Sequence, residues 1–239
     1  PSASLFWSGL AGGLALSFSL AATGMIHAAT EPGTAQNLLT PLGYVIGFLI
    51  VVFGRLQLFT ENTIAAILPL AADFTAGTLR KVLKLNIVVF TANIAGALLA
   101  AIVISLTPVV QSGHFDAMLE LSRKAMDRSA METLVLGIPA GFLVAAMVWM
   151  LPAAKGAEVF VVTAIIYTLG LGEFAHVIVG AVEAGLMVAA GEASAMTGAF
   201  GFVIPALIGN IIGGTALFAV LAYAQIRDEV RKRGNTPKA

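Results

Sequence analysis

The sequence predicts an all-α integral membrane protein: six transmembrane helices forming two inverted three-helix repeats, with the second and fifth helices broken. Three observations carry this prediction. Of the 239 residues, 59% are hydrophobic and 11% charged, whereas an ordinary soluble domain carries about 25% charge. The apolar residues fall in six long segments, not in the ~10-residue alternating runs of a membrane barrel. A short asparagine–glycine motif recurs in the third and sixth segments, each time downstream of an apolar run that polar residues interrupt.

The first segment is Leu5–Ala29, closed by Glu31-Pro32-Gly33. The second, Leu38–Ala72, is too long for one straight crossing of ~20 residues. It holds Arg55, Gln57, Thr60, Glu61 and Asn62 near its middle, so two half-helices around a break are expected. The third, Leu85–Leu106, stops at Thr107-Pro108, and a polar stretch from Gln111 to Ser129 contains a short helix. The fourth is Met131–Leu151, ended by Pro152. The fifth, Val159–Ala190, is again long and interrupted, and the sixth is Phe200–Ile226. A basic tail, 227–239, follows. The whole chain, 1–239, reads as one transmembrane domain, with repeats at about 5–107 and 131–226.

Lysine and arginine placement sets the orientation. With both termini cytoplasmic, the inner side holds Arg80, Lys81, Lys84, Lys155, Arg227, Arg231, Lys232, Arg233 and Lys238. The outer side holds Arg123, Lys124 and Arg128, and Arg55 is expected within the membrane. Pro1-Ser2-Ala3-Ser4 leads directly into apolar sequence with no basic region or cleavage pattern, so no signal peptide is expected. With no cysteine there is no thiol chemistry, and a net charge of zero offers no electrostatic basis for nucleic acid.

The repeat pairs Ala92-Asn93-Ile94-Ala95-Gly96 with Gly209-Asn210-Ile211-Ile212-Gly213. Upstream lie Leu58-Phe59-Thr60 and Glu173-Phe174-Ala175; 34 residues separate Phe59 from Asn93 and 36 separate Phe174 from Asn210. An odd number of crossings per repeat inverts the second half, and paired broken helices place a pathway between the halves. Gly9 and Gly13, Gly43 and Gly47, Gly137 and Gly141, and Gly209 and Gly213 are spaced for close helix packing.

The most informative stretch is Leu169-Gly170-Leu171-Gly172-Glu173-Phe174-Ala175-His176. A carboxylate and an imidazole inside an apolar run are costly unless they face a cavity or a partner. The two glycines allow the helix to open there. A tightly packed crossing with one satisfied polar pair is the alternative. Arg55 is expected to pair with Glu173 or with Glu61, locking the breaks; a ligand role for these charges is the sharper reading. Glu183 is placed near the outer end of the fifth span, facing a vestibule or a neighbouring copy.

With Leu58-Phe59-Thr60-Glu61-Asn62, the Asn93 and Asn210 motifs and His176, the chain resembles the formate/nitrite transporter family along essentially its whole length. The resemblance implies an aquaporin-like helix arrangement in an inner membrane. It also implies a homopentamer with a pore in each protomer, embedded in a lipid bilayer and passing small monovalent anions or their conjugate acids, without cofactor or metal. It assigns Thr60 to the loop threonine, His176 to the central pore histidine, and Asn93 and Asn210 to the pore asparagines. Tyr44 and Phe48 match the cytoplasmic constriction, Leu169 the opposite one, and Lys124 the vestibule lysine. Ala175 stands where many members have a glutamate.

An anion in ~30 Å of apolar pore needs compensation. Half-helix N-termini at the breaks offer amides. A histidine there donates a proton or a hydrogen bond, so that cargo crosses as the neutral acid. The expectation is therefore that Thr60 and His176 face each other across the pore and that His176 relays the proton. Two rival functions fit the same architecture: a channel for neutral solutes such as water, glycerol or ammonia, and a scaffold whose pore is plugged by Arg55, Glu61 and Glu173. An enzyme does not fit, since neither His-Glu-x-x-His nor Gly-x-Ser-x-Gly occurs.

Overall fold

A computed structural model of the chain describes residues 2–63, 70 and 74–225. The basic tail, 227–239, lies outside the described residues, as does most of the stretch 64–73. The described residues form α1 (Ser2–Ala29), α2 (Thr34–Phe53), a helical turn at 59–63, α3 (Ala76–Leu106), α4 (Ser112–Met126), α5 (Ala130–Met150), α6 (Glu158–Leu171), α7 (Val177–Ala189) and α8 (Thr197–Gln225). Five of these (α1, α2, α3, α5 with its short extension to Ala153, and α8) are long and apolar enough to cross a membrane, while α6 and α7 are shorter apolar helices. The second and fifth apolar segments are therefore interrupted, after Phe53 and after Leu171.

Local chemistry sets the helix ends. α3 starts well before Leu85, because the Thr75 side chain accepts a hydrogen bond from the Thr78 amide and caps the helix early. Arg80, Lys81 and Lys84 therefore ride on helix rather than on a loop. α5 starts with a capping box: Ser129 Oγ accepts from the Glu132 amide, and the Glu132 carboxylate accepts from the Ser129 amide. The polar stretch expected to hold a short helix folds as α4, a surface helix whose side chains Met118, Leu119 and Ser122 are buried. α8 is not a uniform helix. Wide π turns at Thr197–Val203 and Ile212–Ala219 flank an α-helical Ile204–Ile211.

α1 packs on α2 and α3, and α5 packs on α8. Both arrangements need bare backbone at the crossing. A β-carbon on Gly13 would collide with the Asn93 carbonyl, and one on Gly141 with the Asn210 carbonyl. Helices in lipid associate through such close approach, since lipid supplies no hydrophobic drive. The core thus formed buries Phe48, Leu16, Leu20, Ile166, Leu169, Ile178 and Leu186. Phe160, Ile87, Leu106 and Phe200 lie exposed on the outside, as an apolar solvent requires.

Candidate functional site: two pinned breaks beneath a charged cavity

Both chain breaks have the same construction. α2 ends at Gly54, after which Arg55 turns with φ of 51°; α6 ends at Gly172, after which Glu173 turns with φ of 50°. The Leu56 amide donates to Val51 O and the Arg55 amide to Val52 O. The Phe174 amide donates to Leu169 O and the Glu173 amide to Gly170 O. These are Schellman closures, in which the left-handed position usually belongs to glycine. Here charged side chains occupy it, one basic and one acidic.

Each break is then pinned by an asparagine. Asn93 Oδ1 accepts from the Phe59 amide at 2.8 Å, and its Nδ2 donates to Gly9 O at 2.7 Å and Gln57 O at 2.9 Å. Asn210 Oδ1 accepts from the Val177 amide at 3.0 Å, and its Nδ2 donates to Gly137 O at 2.9 Å and Ala175 O at 2.8 Å. The two sets match bond for bond. They also correct the register of the internal repeat. Phe59 corresponds to Val177 and Gln57 to Ala175, so the aromatics Phe59 and Phe174 are not mates. Asn93 and Asn210 are fully buried and do not line the cavity described below. Their amides are committed to backbone that the breaks leave unpaired, which gives both a structural role.

A cavity of about 750 Å³ opens beside these elements. Gln36, Thr40 and Tyr44 of α2, Leu169 and Leu171 of α6, Lys124 of α4, Arg128, Glu173, His176 and Glu183 contribute to its wall. Tyr44 and Leu169 thus face the same cavity, rather than constrictions on opposite sides of the membrane. The reason is length. The 20 residues of α2 rise about 30 Å, so its start lies at the cavity end and its finish at the other. α6 runs its last turn up to the cavity.

The same geometry separates Arg55 from Glu173. Arg55 follows the far end of α2 and is exposed, so the expected pairing of Arg55 with Glu173 does not form. Glu173 instead receives Lys124 Nζ at 2.5 Å and the Arg128 guanidinium, which also donates to Glu173 O at 3.0 Å. Arg55 makes no ion pair with Glu61 among the described residues, and Glu61 Oε1 is buried with no hydrogen-bond partner there. Arg128 was legible as a partner only through its spacing, four residues beyond Lys124 at the end of α4. A second bridge, Arg123 to Glu192, ties α4 to the turn after α7.

His176 is where the cavity meets the breaks. It is buried, yet it lines the cavity wall. As the cap of α7, its Nδ1 accepts from the Val179 amide at 3.4 Å. Its Nε2 meets Thr60 Oγ1 at 2.9 Å. An accepting Nδ1 leaves the ring proton on Nε2, directed at Thr60. Phe48 packs edge-on against the imidazole with centroids 5.0 Å apart, and Tyr44 stacks on Phe48 at 5.9 Å. Ser19 secures that part of α2, donating to Tyr44 O at 2.7 Å and accepting from the Gly47 amide at 3.2 Å. Thr60 and Phe48 touch His176 without lining the cavity themselves.

Comparison with known proteins follows this geometry. The sequence profile described as Formate/nitrite transporter matches residues 1–224. The inner membrane protein YfdC of Escherichia coli (strain K12) is 36% identical over 229 residues, covering 96% of this chain and 74% of YfdC. A solved pentameric formate channel with formate bound superimposes with a TM-score of 0.82 at 18% identity, covering 95% of this chain and 97% of the channel. An ion channel of the same family superimposes with a TM-score of 0.80 at 14% identity, over 93% of this chain and 90% of the other.

Proposed function

This chain belongs to the formate/nitrite transporter family, a family of membrane channels and transporters rather than enzymes, and we propose that it passes small monovalent weak acids across an inner membrane. The carrying observation is the contact between Thr60 Oγ1 and His176 Nε2 at the inner limit of the cavity, 2.9 Å across the two breaks. A hydroxyl and an imidazole N–H, set among Phe48, Tyr44 and Leu169, give a small polar molecule hydrogen bonds where the surroundings are otherwise apolar. The ring acts as a neutral donor. A relay through His176 needs a proton on Nδ1, which would face the Val179 amide. The cargo therefore crosses as the neutral acid, its proton acquired before it reaches the histidine.

The two halves are inverted, both termini lie in the cytoplasm, and the cavity faces outward, in line with the distribution of Lys and Arg. The exposed apolar belt takes lipid and further copies of the chain. Five-fold assembly is supported by the fold it shares with a pentameric channel.

Flux into proteoliposomes tests this reading. Formate, nitrite, acetate, chloride and glycerol are compared at pH about 5.5 and about 7.5, which bracket the ordinary imidazole range. Weak-acid flux that rises at the lower pH, with chloride excluded, supports it. Flux of glycerol alone would replace it with the neutral-solute channel.

A further inference from the structure

The cavity leading to His176 is not a cationic funnel. Its wall carries Lys124 and Arg128, but also Glu120, Glu173 and Glu183. Both cations are engaged by Glu173. Glu183 forms no ion pair or side-chain hydrogen bond among the described residues. Its position is set by α7. Seven residues past His176 is two helical turns, about 10 Å along the same face. α7 then ends near Glu192, which is bridged to Arg123 of α4. α4 supplies the cavity's outer wall through Glu120, Leu121 and Lys124. Glu183 thus stands between the mouth and His176, on the path cargo takes.

We infer that Glu183 is a selectivity residue: a carboxylate that turns back permanent anions and accepts a hydrogen bond from cargo arriving in its protonated form. The inference rests on the weak-acid reading above. Lys124 and Arg128 share the single carboxylate of Glu173, and with Glu120 and Glu183 the wall carries three carboxylates against these two cations. An approaching anion therefore gains little there and meets the Glu183 carboxylate, which forms no ion pair among the described residues, within the confined cavity, where screening by water is reduced. A neutral acid meets no such repulsion, and its O–H is the complement of a carboxylate oxygen. The filter needs no conformational change and no ion bound by the protein.

The test is chloride and nitrate flux at pH about 7.5 through wild type, Glu183→Gln and Glu120→Gln, with formate as reference. Glutamine keeps the size and hydrogen-bonding reach of Glu183 while removing its charge. The expected result is a rise of at least about tenfold in chloride and nitrate flux for Glu183→Gln, equivalent to ~1.4 kcal/mol. Glu120→Gln, at the exposed rim, raises chloride and nitrate flux far less than Glu183→Gln, because water and salt screen a charge there. Unchanged chloride and nitrate flux in Glu183→Gln would overturn the inference. So would loss of all flux in a variant that elutes as an intact oligomer, which would make Glu183 part of the conduction step. Glu183→Leu, uncharged and unable to hydrogen bond, is the second variant: it too passes chloride, and it slows formate relative to Glu183→Gln. If wild type carries no weak acid while Glu183→Gln gains chloride flux, the weak-acid reading fails and the charge filter stands.

Discussion

Asn93 and Asn210 lie in different halves of the chain and make the same three hydrogen bonds, each to an amide and a carbonyl of a chain break and to the carbonyl of a packed glycine. That correspondence makes the breaks rigid parts of the fold rather than gaps in it.

Replacing either asparagine orphans backbone groups that have no water to turn to. Each such group costs ~1–3 kcal/mol. Asn93→Ala and Asn210→Ala are therefore expected to destabilise the protein by about 2–4 kcal/mol each. Asp is no rescue, because it cannot donate to Gln57 O or Ala175 O. Thermal unfolding of the detergent-solubilised protein reads this as a clear drop in midpoint; an unchanged midpoint would remove the pinning role.

Arg55 and Glu173 occupy left-handed backbone positions, where a side chain costs roughly 1 kcal/mol relative to glycine. Arg55→Gly is predicted to raise the unfolding midpoint slightly and Arg55→Val to lower it. Glu173→Gly relieves the same strain but releases Lys124 and Arg128, so its net effect is expected to fall below that of Arg55→Gly. Comparing the three variants in one melting series checks the order.

Much of this was readable in the residues. The polar interruptions in the second and fifth apolar runs marked both breaks, and the two asparagine–glycine motifs marked the elements that hold them. The register was not readable. Phe59 and Phe174 are both aromatics beside a break, but the equivalence is carried by the amides of Phe59 and Val177, which leave no side-chain signature. Charge pairing failed for a related reason. Arg55 and Glu173 stand at equivalent places in the two halves, and that very equivalence sends them to opposite ends of the molecule. The partners of Glu173, Lys124 and Arg128, come from α4, whose docking over the cavity depends on tertiary packing.

Glu173→Gln is expected to leave Lys124 and Arg128 without their counter-charge. The cavity wall then loses its excess negative charge, with Lys124 and Arg128 standing against Glu120 and Glu183, so anion flux should rise at low ionic strength and fall back as salt screens the field over about 10 Å. Lys124→Gln should shift flux much less, because Arg128 still holds Glu173. Salt-dependent flux in the three proteins distinguishes a balanced cavity from one in which Lys124 alone draws anions in.

The most direct test of the account is formate flux through wild type, His176→Gln and His176→Phe at pH about 5.5 and about 7.5. Glutamine keeps an N–H donor for Thr60 but has no titrating group; phenylalanine keeps the bulk of the ring and loses the donor. The account predicts that His176→Gln retains most of the flux and its rise at the lower pH, since the neutral acid becomes about tenfold more abundant per pH unit, while His176→Phe loses flux at both. Loss of the pH-dependent rise in His176→Gln would contradict it and restore the histidine as a proton carrier.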